Sequence, residues 1–269
     1  MPLPPRPSHL GDLEFTRVLT TYVSSARLAR DRAVLDAGCG SGHGAWLFRA
    51  AGAARVVAVD LDPGALREVA TTDAEVRWAA MDVENLALRD GLFDLLACFE
   101  VIEHVPHPSR LLAELRRVAG PHALTLISTP NRVNRLRPGQ KPWNPDHFRE
   151  YDHAGLAAEL SAAYPAVVIM GTHGRPDLHE RYLREWAVGI GESRARAAGR
   201  RLLPHGLRAA LRSLIARRTS DGPGVPEPDA ASWPFFLGDA SERCLNFFAV
   251  CGDDPAAVNA AAASLRRGD

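Results

Sequence analysis

The sequence predicts an α/β protein in which a largely parallel sheet is covered by helices on both faces. From about residue 31 to residue 130, short apolar segments alternate with segments of helical periodicity. Such an alternation is typical of βαβ units, which build parallel sheets. The first apolar segment also leads directly into a cluster of glycines, and a glycine-rich turn between a strand and a helix is typical of doubly wound folds.

The composition is that of an ordinary folded protein with one large domain. The chain has 269 residues, of which 46% are hydrophobic and 24% are charged, so it can bury a core without disulfides or metals. Its four cysteines include no C-x-x-C pair, which argues against a zinc site and favours a reducing compartment. The proline-rich start lacks the apolar core of a secretory signal, and no apolar run approaches the roughly 20 residues that span a bilayer. We therefore expect a cytoplasmic protein with no membrane span.

The order of the elements follows from the spacing of the apolar residues. A helix is predicted over residues 10–29. Strands are predicted at residues 33–36, 55–60, 75–79, 93–99, 123–128, 166–171 and 244–251. Further helices are predicted from the glycine cluster to residue 51, from residue 63, and at residues 109–119 and 152–164. Pro63 suits a first helical turn and Asp152 suits an N-cap, which supports two of these helices.

Residues 174–218 differ in composition from the rest of the chain. They contain eleven Arg, no Lys and four acidic residues, which gives a net charge of +7. Because the whole chain has 32 basic and 32 acidic residues, the remainder carries −7. Residues 219–232 are rich in Pro and Gly, as in a linker. We predict an N-terminal helical segment over the ligand site (1–30), a core (31–173), an Arg-rich helical cap with its linker, inserted between the last two strands (174–232), and the last strand with a C-terminal tail (233–269).

Three interpretations of the Arg-rich segment stay open. The arginines form a solvated helix face opposite counter-charges on the core, or they bind an anionic or phosphorylated acceptor, because guanidinium groups pair well with phosphate and carboxylate. The third interpretation is contact with nucleic acid or an anionic membrane. Nucleic acid is the least expected partner, since the segment has few aromatic residues and no nucleic-acid-binding motif.

The most informative segment is the glycine cluster after the first strand. Residues 36–42 form the pattern D-x-G-x-G-x-G. Glycine permits positive φ and lets a ligand approach the backbone, and the N-terminus of the following helix offers free N–H groups. The dinucleotide pattern G-x-G-x-x-G fails from Gly38, where the sixth position is His43, and it fits only weakly from Gly40. Asp36, an acid just before the glycines, instead suits a ligand with a cationic amino or sulfonium group.

Two further carboxylates follow the next predicted strands. Asp60 ends the second strand, and Asp82 follows the third. A carboxylate at Asp60 can accept hydrogen bonds from both hydroxyls of a ribose, and one at Asp82 can accept from an exocyclic amine such as that of adenine. Together with Asp36, three consecutive strands thus end at a carboxylate on one edge of the sheet. Ligands of open α/β sheets bind at this edge.

Five motifs together resemble those of a known family: VLDAGCGSG, VVAVDLDP, MDVENL, FDLLACFEVIEHVPHPSRLLAELRRV and LTLISTPNR. They are similar to the motifs of class I S-adenosylmethionine-dependent methyltransferases, and among these to small-molecule and glycan-pathway enzymes, in which STPNR is followed by a segment like NPDHFREY at residues 144–151. The resemblance implies a Rossmann-like doubly wound sheet of seven strands, the last one antiparallel, and S-adenosylmethionine as the cofactor. The cofactor-binding residues that it implies are Asp36, Gly38, Cys39, Gly40, Gly42, Asp60, Leu61, Asp82, Val83, Phe99 and Glu100.

Methyl transfer to a hydroxyl needs a general base, and we expect it near the strand ends. The motif FEVIEHV supplies Glu103 and His104 after the fourth strand, and His147 lies in the loop after the fifth. Histidine is the side chain best suited to take up a proton near neutral pH. We predict His104, His147 and Glu103 as catalytic residues without choosing between the two histidines, and Trp143 and Phe148 as an apolar wall for the acceptor. We expect no metal, because no third ligand stands at a matching spacing.

The sequence therefore predicts transfer of a methyl group from S-adenosylmethionine to a small-molecule, sugar or natural-product acceptor. O-methylation with a histidine base is the specific expectation. Two alternatives stay open. A nicotinamide-dependent oxidoreductase would share the fold, although the glycine spacing disfavours it. A non-catalytic protein that binds the cofactor and serves a partner would keep the same motifs, because catalysis needs only alignment and one base.

Overall fold

The computed structural model describes residues 10–69, 75–137, 139–142, 144–180, 182–183 and 235–266. A sheet of eight strands lies between two layers of helices. The strands are β1 (Ala33–Ala37), β2 (Arg55–Asp60), β3 (Val76–Ala80), β4 (Phe93–Phe99), β5 (Ala119–Pro130), β6 (Ala166–Gly174), β7 (Phe235–Asp239) and β8 (Asn246–Gly252). The helices are α1 (Leu10–Ala26), α2 (His43–Ala50), α3 (Pro63–Val69), α4 (Pro108–Val118), α5 (Arg132–Arg135), α6 (His153–Ala163) and α7 (Pro255–Arg266).

The order of the strands across the sheet is β3-β2-β1-β4-β5-β8-β6-β7. The first five of these pair in parallel, whereas β8 is antiparallel to both of its neighbours and β7 is antiparallel to β6. The chain order reverses between β1 and β4, and the crevice beyond their carboxyl ends is the place where ligands of such sheets bind. The predicted doubly wound fold is therefore confirmed, and so is the antiparallel last strand.

Successive residues of a strand point to opposite faces of the sheet, so they belong to two separate hydrophobic cores. In β1, Val34 packs into the core beneath α1, α2 and α7, whereas Leu35 packs into the core beneath α4 and α6. Every residue of β8 is buried, as expected for a strand that is covered on both faces. Within the described ranges, no helix is long and apolar enough to cross a membrane.

In the part of the chain that the structure describes, the sheet has eight strands, one more than the seven predicted. The additional strand, β7, lies at the edge of the sheet, where Phe235 and Leu237 are buried and Phe236 is half exposed. Because this strand has only five residues and follows a Pro- and Gly-rich segment, its alternation gives little signal. The alanine-rich tail, for which no element was predicted, forms α7, and Val258 and Leu265 of this helix are buried.

The Arg-rich segment lies mostly outside the described residues. It begins at the end of β6 with helical residues 176–180 and 182–183. Residues 184–234, which hold most of the predicted cap and its linker, are outside the described part of the chain. The helical cap and the predicted boundaries of the four units therefore stay predictions.

A close contact with α2 holds α1 beside the glycine cluster. Tyr22 of α1 lies so near Gly44 of α2 that a Cβ added to this glycine would come within 1.9 Å of the ring. The same ring packs edge-to-face against Phe48 and Phe99. Gly44 is therefore the residue that permits this approach of the two helices.

Gly44→Ala is expected to lower the free energy of unfolding by about 1–3 kcal/mol, because the added methyl group overpacks the α1–α2 contact. Gly155→Ala in α6 is the matched control, since the nearest atom to its Cβ would be a carboxylate oxygen of Asp152 at 3.1 Å. Urea denaturation followed by circular dichroism measures both variants. Wild-type stability of Gly44→Ala would contradict the described packing of α1.

Candidate active site

The glycine cluster forms one wall of the crevice between β1 and β4. Gly38, Gly40 and Gly42 have φ of 77°, 51° and 76°, in the left-handed region that favours glycine. A Cβ on Gly38 would lie 2.4 Å from the Val101 side chain, whereas a Cβ on Gly40 would meet no atom within 4 Å. The loop is thus packed against protein at Gly38 and open at Gly40, where a ligand can approach the backbone.

Asp60, the last residue of β2, is hydrogen-bonded to the glycine cluster. Its Oδ2 accepts a hydrogen bond from the Gly40 amide at 2.8 Å, and its Oδ1 accepts one from the Asp62 amide at 2.9 Å. The next residue, Leu61, is 73% exposed, an unusual exposure for a large apolar side chain beside a crevice. The Asp60 carboxylate and the exposed Leu61 side chain therefore lie next to each other, and their contacts with a cofactor stay predictions.

Asp36 is fully buried beneath the glycine cluster. Its Oδ1 accepts a hydrogen bond from the Tyr22 hydroxyl at 2.9 Å. Burial raises the pKa of Asp36 to about 7, against the opposing effect of hydrogen bonds from Tyr22 and from the Ala45 amide. Cys39 is also buried, and burial raises the pKa of its thiol. Both residues brace the loop from inside, and their direct contact with a cofactor stays a prediction.

The remaining predicted cofactor residues divide between surface and core. Asp82 is exposed after β3, and its Oδ1 accepts a hydrogen bond from the Glu84 amide at 2.9 Å, while Val83 is buried. Phe99 is buried in the core, where its ring lies 4.8 Å from that of Tyr22. Only the exposed Asp82 presents its side chain to solvent, and the roles of all three toward the cofactor stay predictions.

Glu100 connects three elements at the tip of β4. Its Oε1 accepts hydrogen bonds from Ser128 of β5 and Asn246 of β8, both at 2.8 Å. Its Oε2 accepts one from Arg17 of α1 at 2.8 Å. Glu100 has a φ of 57°, a conformation that costs a residue other than glycine free energy and persists only where its surroundings enforce it.

Arg17 is a functional candidate that the sequence analysis missed. Its side chain is 1% exposed and pairs with both Glu14 and Glu100 at 2.8 Å. Two further N–H groups, Nε and Nη1, are buried and have no hydrogen-bond partner, which is uncommon for buried polar atoms. Burial opposes the charged form of Arg17, yet Glu100 and Glu14 together hold its pKa well above the ordinary value. Although burial raises the pKa of Glu14, Arg17 and the Tyr182 hydroxyl bring it down to about 2.

His104 and His147, which are 43 positions apart in the sequence, lie side by side. Their ring centroids are 4.5 Å apart, and the rings meet edge-to-face. Nδ1 of His104 lies 2.9 Å from the Asp146 carbonyl oxygen, and Nδ1 of His147 lies 2.8 Å from Oε1 of Glu150. Because a carbonyl and a carboxylate only accept, each Nδ1 must donate. In the neutral form of each ring, Nε2 is then free to take up a proton.

The surroundings of the two histidines differ. Burial and next the adjacent His147 lower the pKa of His104, so this ring is neutral at physiological pH. The side chain of His147 is 5% exposed, and that of its partner Glu150 has no exposed surface. Glu150 also lies 3.5 Å from Nε of Arg135. Glu150 and Arg135 were missed by the sequence analysis, although the spacing of three between His147 and Glu150 was a usable signal.

Glu103 is buried beside the pair. It is 1% exposed, and its Oε2 accepts a hydrogen bond from the Thr129 hydroxyl at 2.9 Å. Burial and next the Glu100 carboxylate raise the pKa of Glu103 well above its ordinary range, which favours the protonated form. One potential ligand atom from each of Glu103, His104 and His147 lies within 4.8 Å of the others. The structure thus brings together three potential ligands that the sequence spacing did not indicate, and both the expected absence of a metal and the catalytic role of Glu103 stay predictions.

The loop that carries His147 is held against the segment that follows β4 by hydrogen bonds to two backbone carbonyls. The Phe148 amide donates to the Glu103 carbonyl at 2.9 Å, and the Arg149 guanidinium donates to the Val105 carbonyl at 3.0 Å. Phe148 itself is 61% exposed, which suits the predicted apolar wall. Trp143, the other predicted wall residue, lies outside the described residues.

Comparison with known proteins identifies the family. A family model described as a methyltransferase domain matches residues 35–127. A probable S-adenosylmethionine-dependent methyltransferase of Mycobacterium tuberculosis is 35% identical over 168 residues, which are 62% of this chain and 61% of that protein. A ubiquinone biosynthesis O-methyltransferase of Coxiella burnetii is 30% identical over 192 residues, which are 69% of this chain and 72% of that protein.

A solved structure agrees with this comparison at the level of the fold. A methyltransferase of Thermotoga maritima, described as a possible histamine N-methyltransferase, has a TM-score of 0.56. It is 13% identical, and the match covers 89% of this chain and 92% of that chain.

The fold and the crevice define a protein that binds a nucleoside cofactor at the carboxyl edge of its sheet. The chain belongs to the class I S-adenosylmethionine-dependent methyltransferases, and the cofactor of this family is S-adenosylmethionine. The matched part spans 61% of the length of the Mycobacterium relative. The residues present fit the cofactor, because a Cβ on Gly40 would meet no atom within 4 Å, so a ligand can approach the backbone there, and the adjacent Asp60 carboxylate suits the ribose.

The raised pKa of Asp36 predicts a stability that depends on pH. Between about pH 4, where an unfolded aspartate ionises, and about pH 7, where Asp36 ionises in the native protein, the native state binds more protons than the unfolded state. Its contribution to the free energy of unfolding therefore falls as pH rises through this interval. Asp36→Asn is expected to flatten this dependence in urea denaturation between pH 4.5 and pH 8. The exposed Asp177→Asn is the control, and an unchanged pH dependence in Asp36→Asn would contradict the prediction.

Proposed function

We propose that the chain transfers a methyl group from S-adenosylmethionine to an oxygen atom of a small-molecule acceptor, such as a sugar or another natural product, with a histidine as the general base. The carrying observation is the contact between His104 and His147 at the edge of the sheet that also holds the glycine cluster. Two segments that are distant in the sequence thus supply basic nitrogens beside the cofactor crevice.

The chemistry of the site is simple. When bound, S-adenosylmethionine supplies an electrophilic methyl group on a sulfonium sulfur. The O–H bond of the acceptor breaks as its proton passes to a histidine, and a new O–CH₃ bond forms. The electron pair of the broken C–S bond stays on sulfur, which leaves as a neutral thioether. The chain must align the acceptor with the methyl group and accept the proton near the transition state.

We assign the base to His147 and place His104 beside the acceptor. Nδ1 of His147 is bonded to the carboxylate of Glu150, which stabilises the imidazolium that forms on proton transfer. The partner of His104 is a backbone carbonyl, a weaker acceptor, and its lowered pKa makes it the poorer base. His104 is the more exposed of the two rings and is suited to contact the acceptor.

Oxygen as the methylated atom is supported by the Coxiella relative, which is named an O-methyltransferase. A hydroxyl is also the acceptor that most needs a base at this position, because it must lose its proton during transfer.

Whether the acceptor is anionic depends on the Arg-rich segment, most of which lies outside the described residues. We propose that the reaction takes place in the cytoplasm. The four cysteines are free and buried, which is compatible with such a reducing compartment.

Binding of S-adenosylhomocysteine, the product that methyl transfer leaves, tests whether the chain binds the proposed cofactor. Isothermal titration calorimetry with S-adenosylhomocysteine is expected to show saturable binding that Asp60→Asn weakens by about 10- to 100-fold, because a hydrogen bond to a charged group is lost. Asp253→Asn, which changes an exposed carboxylate near the end of β8, is the control and should leave the affinity unchanged. No binding by the wild-type chain at millimolar ligand would remove the proposal.

Single-turnover transfer of a labelled methyl group to extracted metabolites tests the reaction itself. His147→Gln is expected to lower the rate by about 100- to 10,000-fold while S-adenosylhomocysteine binding persists. His104→Gln should mainly weaken acceptor binding and raise KM. The reverse order of effects would move the base to His104. A wild-type chain that binds cofactor and methylates nothing would favour a non-catalytic role.

A further inference from the structure

Glu150 is buried between two basic side chains. Its carboxylate has no exposed surface, and Oε1 lies 2.8 Å from Nδ1 of His147. Its other oxygen, Oε2, lies 3.5 Å from Nε of Arg135. One oxygen is therefore hydrogen-bonded to the imidazole, and the other lies near the positive charge of Arg135.

This hydrogen bond has a consequence for the proton of His147. A neutral imidazole carries one proton, either on Nδ1 or on Nε2. An ionised carboxylate has no proton to donate, so its contact with Nδ1 is a hydrogen bond only when Nδ1 carries the proton. The lone pair of neutral His147 is then confined to Nε2.

We propose that Glu150 is a positioning residue that fixes the proton of neutral His147 on Nδ1 and thereby keeps Nε2 available to take the proton of the acceptor. This inference rests on the proposed function, in which His147 is the base. The positive charge of Arg135, 3.5 Å from the second oxygen, favours the ionised form of Glu150 that this role requires. Burial of both partners excludes the water that would otherwise compete for Nδ1.

The amide of glutamine makes this role testable. In Glu150→Gln the side chain keeps its shape but has one accepting oxygen and one donating NH₂ group. Because Arg135 can only donate, the oxygen is expected to face Arg135 and the NH₂ group to face Nδ1 of His147. Nδ1 must then accept, which moves the proton of the neutral ring to Nε2 and removes the lone pair that the acceptor needs.

Nitrogen-15 NMR of the full chain, labelled in histidine, reads the tautomer directly and needs no acceptor. His147→Gln assigns the His147 signals, and a chelator excludes metal ions from the sample. We expect the Nδ1–H tautomer in the wild type and the Nε2–H tautomer in Glu150→Gln. Glu75→Gln, at a carboxylate that is 74% exposed and pairs with Arg49, is the control and should behave as wild type. The same tautomer of His147 in wild type and Glu150→Gln would overturn the proposal.

The rate of methyl transfer provides the second readout. Glu150→Gln is expected to lower the single-turnover rate by about 100-fold or more with unchanged affinity for S-adenosylhomocysteine. A tautomer that switches without any loss of rate would overturn the positioning role. If the wild type transfers no methyl group, the proposed function fails, whereas the NMR result still decides whether Glu150 sets the tautomer.

Discussion

The carboxylate of Glu100 is the junction on which the crevice depends. It accepts hydrogen bonds from Arg17, Ser128 and Asn246, which belong to α1, β5 and β8. Three elements that are far apart in the chain are thereby fixed at the tip of β4. The left-handed backbone of Glu100 fits this role, because such strain of about 1–3 kcal/mol persists only where the surroundings hold it in place. Together with the hydrogen bond from Tyr22 to Asp36, this junction anchors α1 at the edge of the sheet that holds the glycine cluster.

Charge is distributed so that the acids of the site do not repel one another. Asp36 and Glu103 are buried, and burial raises the pKa of both. The raised pKa values favour the neutral forms of these two carboxyl groups and so limit the negative charge near Asp60 and Glu100. The same principle applies to the histidine pair. Because the lowered pKa of His104 keeps this ring neutral, a proton taken up by His147 meets no second positive charge beside it. A sulfonium cofactor fits such a site, because its positive charge meets carboxylates rather than an excess of cations.

Local patterns predicted the fold well, and contacts between distant segments were the part that they could not supply. The glycine pattern and Asp60 indicated the crevice, since both follow from short motifs at strand ends. The motif EVIEHV and the NPDHFREY segment each indicated a histidine, but only the fold shows that the two rings touch. Arg17 was missed because α1 has no motif, and its pairing with Glu100 spans 83 positions. The edge strand β7 was missed because five residues after a Pro- and Gly-rich segment carry little periodicity.

The most direct test of the whole site is a crystal structure of the chain with S-adenosylhomocysteine. We expect the ribose hydroxyls within hydrogen-bonding distance of Asp60, the amino-acid part against the backbone at Gly40, and the sulfur atom directed toward His104 and His147. Such a complex would join the cofactor crevice and the histidine pair into one active site. A ligand bound elsewhere, or a sulfur atom directed away from both histidines, would contradict the proposed methyl transfer at this edge of the sheet.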